Sequence, residues 1–109
     1  MQKEDLVAAM KRIVALSREQ KWDEAYAGYH QLVANPGFNQ LRPEDQRKVL
    51  EMMVLSNLKQ LPNKPSQIIL DAHRATLGVL TELVSLYGEP SDHELLGLAH
   101  QRLGNEAAA

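Results

Sequence analysis

Three breaks divide this chain of 109 residues: Asn35-Pro36-Gly37, Pro62-Asn63-Lys64-Pro65 and Gly88-Glu89-Pro90. Proline cannot continue a helix, and glycine accepts the left-handed dihedrals that end one. Between the breaks, apolar residues recur three, four and seven apart, the spacing of one face of an α-helix. A shorter break at Glu19-Gln20-Lys21 splits the first segment. The chain therefore reads as all-α, with about five helices joined by short links that favour antiparallel hairpins.

Helix one is expected from about Glu4 to Gln20. Its apolar face is Leu6, Met10, Ile13 and Leu16, with Val7 and Val14 beside them. Glu4 and Asp5 suit the positive end of the helix dipole. Helix two runs from about Trp22 to Ala34, with Trp22, Ala25, Tyr26, Tyr29, Leu32 and Val33 as its stripe. Phe38 and Leu41 should anchor the loop that follows. Helix three starts at Pro43, a residue suited to a first helical position, and extends to about Leu61. Val54, Leu55, Leu58 and Leu61 are its expected core, with Val49, Leu50 and Met53 nearby. Helix four spans about Ser66 to Tyr87, with Ile69, Ala72, Thr76, Leu80, Leu83 and Tyr87 facing inward and Gly78 placed for a close crossing. Ser91 or Asp92 should cap helix five, which covers about 91–104 and ends in a frayed tail.

Helices one, three and five align at a period of 42 residues. Met10, Met52 and Glu94 fall in one column, Ile13, Leu55 and Gly97 in another, and Leu16, Leu58 and His100 in a third. Gln20, Pro62 and Gly104 mark the three helix ends.

Leu96-Gly97, His100 and Leu103-Gly104 carry a specific pattern, and so does Ala25-x-x-x-Tyr29. They resemble the tetratricopeptide (TPR) repeat, whose motif runs Trp-x-x-Leu-Gly-x-x-Tyr, later Ala-x-x-x-Phe, then Pro. His93 stands in the Trp slot and His100 in the Tyr slot. The TPR unit is about 34 residues, and HEAT or armadillo units are about 40–47, so another five-helix arrangement stays open. The resemblance implies one domain over 1–109, a right-handed stack of antiparallel hairpins: hairpin 4–35, hairpin 43–88 and terminal helix 91–104.

Several function classes find no support. A net charge of −2 does not suggest general nucleic-acid affinity. The basic residues Arg42, Arg47, Lys48, Lys59 and Lys64 cluster around helix three, but Glu44, Asp45 and Glu51 dilute them and no aromatic series accompanies them for base stacking. No phosphate-binding glycine loop, nucleophile elbow or cysteine is present. The chain is thus expected to be no enzyme and to need no cofactor. His93 and His100 are seven apart rather than the three or four usual for metal ligands, and read as substitutes for TPR aromatics at the edge of the packing. His30 and His73 are expected on the surface. Met1 to Asp5 is charged from the start, and Asp71, His73, Arg74 and Glu82 interrupt the most apolar segment, so neither a signal peptide nor a membrane span is expected. A cytoplasmic location follows as the default.

The resemblance implies a partner site on the first helices of the hairpins. By register these supply Met10, Val14 and Arg18, then Met52, Ser56 and Lys59, then Glu94, Leu98, Gln101 and Arg102. Flexible methionines suit an apolar peptide or helix. TPR domains that clamp a partner's carboxylate present Lys and Asn where this chain has Met10 and Val14, so that subclass is not expected. The leading expectation is a non-enzymatic module that docks a peptide or helix of another protein. The alternative is an oligomerisation or capping domain, a homodimer formed through terminal helices with Leu95, Leu96 or Ala99 exposed.

Overall fold

The structure, a computed structural model, describes residues 2–56 and 66–108, without the side chains of Ser56, Arg102 and 104–108. Among the described residues it holds five α-helices and no strands: α1 (Lys3–Arg18), α2 (Trp22–Ala34), α3 (Pro43–Glu51), α4 (Gln67–Tyr87) and α5 (Pro90–Ala108). A 3₁₀ turn, Pro36–Gln40, joins α2 to α3, and a π-helical turn, Met52–Ser56, follows α3. The expectation of an all-α chain is met.

Local chemistry explains most of the ends. The Gln2 N–H donates to the Asp5 carboxylate at 3.2 Å, which secures the start of α1. At the other end, Gln20 takes a left-handed φ of 61°. The Lys21 N–H then reaches the Leu16 carbonyl at 2.9 Å, and the Gln20 N–H reaches that of Ser17 at 3.0 Å. These two bonds are a Schellman stop, formed without its usual glycine. The turn reverses the chain, and α1 packs against α2. Their close approach is at Gly28, where a Cβ would lie 3.0 Å from Ile13 Cγ1.

After α2, the Asn35 Oδ1 accepts from the Gly37 N–H at 2.8 Å, and the 3₁₀ turn drives Phe38 fully into the core. The Gln46 amide donates to the Leu41 and Asn39 carbonyls, tying this loop to α3. Ser66 caps α4: its hydroxyl accepts from the Ile69 N–H and donates to Asp23 in the first turn of α2 at 2.6 Å. The starts of α2 and α4 therefore lie together, and the two helices run parallel and side by side. Tyr26 of α2 stacks on His73 of α4 with ring centroids 5.4 Å apart. α5 returns against α4 after Gly88, whose φ of 62° ends that helix.

The core centres on Ala25, Tyr26, Tyr29 and Phe38 from the first half of the chain. Leu50, Met53, Val54, Ile69, Ala72, Leu80, Leu95 and Ala99 are packed with them. Several expectations need correction. Leu55 is 42 % exposed. It lies in the π-helical turn, off the side that buries Val49, Leu50 and Met53. The expected continuation of helix three to Leu61, including Leu58, lies outside the described residues. His73 is buried rather than exposed: its Nδ1 meets the Ile69 carbonyl at 2.8 Å, and stacking on Tyr26 gives the ring a partner inside. Tyr87 is exposed at the end of α4, and Gly78 faces open space rather than a crossing helix.

α5 starts at Pro90, not at a Ser91 or Asp92 cap. The Asp92 and His93 N–H groups bond to the Glu89 carbonyl. The helix runs through Gly104 to Ala108, past the expected stop. His93 and His100 are both exposed, so neither fills an aromatic slot at a packing edge. The column Ile13, Leu55 and Gly97 shares no environment: the first is buried and the other two are exposed.

Candidate functional site

α1 packs on α2, yet it stands away from α3 and leaves a groove between them of about 540 Å³. Buried Leu6 from α1 and Val49 from α3 form its floor. Val7, Met10 and Val14 line one wall, and Met52 lines the other. Val7 is 44 % exposed, an apolar surface open to solvent. Lys3, Lys11, Arg18 and Lys48 stand around the edge, and the buried Asp45 also lines the groove. Long basic side chains behave this way because the aliphatic stem can cover apolar surface while the charge stays in water.

The helical period explains the arrangement on α1. Val7, Met10 and Val14 are spaced three and four apart and so share a face, next to the buried face of Leu6 and Ile13. Lys11 and Arg18, seven apart, fall on the outer margin of that face. Val49 in α3 and Met52 sit three apart, and Met52 opens the π-helical turn. Such turns often mark functional positions. Here the Tyr26 hydroxyl donates to the Met53 carbonyl at 2.7 Å, which anchors the turn to α2.

Of the residues expected to bind a partner, Met10, Val14, Arg18 and Met52 come together in this groove. Glu94, Leu98 and Gln101 do not line it. Glu94 and Gln101 are exposed on α5, and Leu98 is half-buried against the core. Lys59 and the side chains of Ser56 and Arg102 lie outside the described residues. An ion pair helps to set the place of α5. The Arg47 guanidinium in α3 donates twice to the buried Asp92 carboxylate, both at 2.8 Å, and its carbon lies 5.3 Å over the Tyr87 ring. The hydrogen bond to Asp92 raises the Arg47 pKa above its ordinary value, so this pair stays charged on the arginine side throughout the neutral range.

The basic cluster expected around helix three is dispersed. Arg42 pairs with Asp45 and Glu44, Arg47 is taken by Asp92, and Lys48 joins the groove. Lys59 and Lys64 lie outside the described residues. Sequence reasoning missed Lys3, Val7, Lys11 and Lys48 as groove residues. A usable signal was present in the seven-residue spacing of Lys11 and Arg18 along the margin of an apolar face.

Among the described residues, no group of three or more His, Asp or Glu side chains could hold a metal ion, and no helix is long and apolar enough to cross a membrane. No protein-family model, curated protein or solved structure matches this chain.

Proposed function

We propose that this chain is a non-enzymatic protein–protein interaction module that holds a peptide or helix of another protein in the α1–α3 groove. The observation that carries the reading is the pairing of Met10 and Met52. They are 42 residues apart and in register, and they line one half-open apolar groove from two separate helices. Grooves of this kind take the apolar face of an amphipathic helix. The volume of this groove is within the roughly 300–1,000 Å³ typical of ligand sites. Of the residues on which the self-association alternative rests, Leu95 and Ala99 are buried within the chain and Leu96 is half-buried, which favours the groove over the terminal helices.

The test compares the wild type with a Met10→Glu, Met52→Glu variant, after circular dichroism has established that both are folded. A bound protein whose contact maps to one continuous segment, held by the wild type and released by the variant, is the expected result. A partner held equally by both moves the site off this groove. A mass that rises with concentration and no other partner restores the self-association reading.

A further inference from the structure

We infer that the segment held in the α1–α3 groove is an amphipathic helix with acidic residues along its flanks, an inference that rests on the interaction-module reading. Lys3, Lys11, Arg18 and Lys48 all border the groove, and among the described residues none has a carboxylate within ion-pairing distance. The one acid lining the groove among the described residues, Asp45, is buried and lies 3.5 Å from the Arg42 guanidinium. Glu4 borders a shallow hollow beside Lys3 and Lys11 and offsets part of their charge. Because the chain as a whole carries −2, this concentration of unpaired cations is local and not a background property.

The spacing selects the occupant. Lys3, Lys11 and Arg18 are spread over about 22 Å of helix axis at 1.5 Å per residue. One carboxylate or phosphate head group, as on a fatty acid, meets only one of these charges at a time. A partner helix of about four turns meets all of them, with acids roughly seven or eight residues apart. The apolar floor and walls accept the opposite margin of that helix, through side chains spaced three, four and seven apart. Nucleic acid is disfavoured, because no aromatic residue lines the groove for stacking and its floor is apolar. Charge complementarity of this kind governs the rate and specificity of association more than its final strength.

The test uses three fluorescent 18-residue helical peptides with the same leucine stripe and with Glu, Gln or Lys on the flanks. Sodium oleate serves as a fourth probe. Binding is followed by anisotropy at low salt and mapped by amide chemical shifts. The Glu peptide should bind at least tenfold tighter than the Gln peptide and shift α1 and α3 amides, and the Lys peptide should not bind. The double reversal Lys11→Glu, Lys48→Glu alters two exposed side chains and should invert the order of the Glu and Lys peptides. Equal binding of the Glu and Gln peptides at the groove overturns the acidic-partner inference and leaves the module reading standing. No peptide binding at all defeats both, and saturable binding of oleate alone assigns the groove to an amphiphile instead.

Discussion

The contact between α2 and α4 and the gap between α1 and α3 are made from similar amphipathic helices, yet one is closed and the other open. Between α2 and α4, the polar atoms that go inside are short and supplied with partners. The Tyr26 hydroxyl reaches the Met53 carbonyl, the Thr76 hydroxyl lies 2.9 Å from the Ala72 carbonyl, and His73 Nδ1 meets the Ile69 carbonyl. Burial then adds the apolar term while these three groups keep hydrogen-bond partners. Between α1 and α3, the polar groups are the charged ends of Lys3, Lys11, Arg18 and Lys48, with Asp45 paired to Arg42. Closing that gap would strip water from unpaired cations.

The largest test of the closed side is Tyr26→Ala, which removes a fully buried ring and its bond to the π-helical turn. A loss of about 4 kcal/mol is expected in urea unfolding. Next comes Arg47→Met, which leaves the Asp92 carboxylate buried without its partner. We expect a loss of about 3 kcal/mol, and recovery to within about 1 kcal/mol of wild type when Asp92→Leu is added. A persistent large loss in the double variant would mean that the pair itself, rather than the orphaned charge, holds α3 to α5.

Two glycines sharpen the comparison at a smaller scale. Gly78→Ala enters open space in mid-helix and should stabilise the protein by about 0.8 kcal/mol. Gly28→Ala gains the same helix propensity but meets Ile13 at 3.0 Å, so its thermal midpoint should fall below that of Gly78→Ala. Equal midpoints would show that α1 can shift off α2. The smallest effect belongs to the open side: Val7→Ser, in the exposed wall of the groove, should change stability by no more than about 0.5 kcal/mol. It should still weaken binding of the Glu-flanked peptide, and an unchanged affinity would place the contact elsewhere.

Much of this was legible in the chain. Ala25, Tyr29 and Phe38 were expected inside because their spacing or their place beside a break leaves no other face for them, and they are buried. The stops at Asn35-Pro36-Gly37 and Gly88 also follow from backbone chemistry alone. Leu55 and His73 were misplaced for one shared reason. Hydropathy ranks a side chain by its own character, but burial depends on what the neighbouring helix offers it. Leu55 is off the stripe that Val49, Leu50 and Met53 turn inward, and His73 finds Tyr26 and a carbonyl within reach.

The candidate site divides in the same way. Met10 and Met52, which the 42-residue register pairs in the sequence, line one groove. Glu94, a further period along, does not join them, and the Arg47–Asp92 pair helps to hold the start of α5 elsewhere. The sequence by itself determined that the chain is helical, where most helices stop and which apolar stripes each one carries, since these depend on dihedral preference and a period of 3.6 residues. Only the tertiary structure decided which stripes meet and which two helices stay apart. Those outcomes depend on long-range contacts, such as Ser66 with Asp23 and Arg47 with Asp92, that no local pattern encodes.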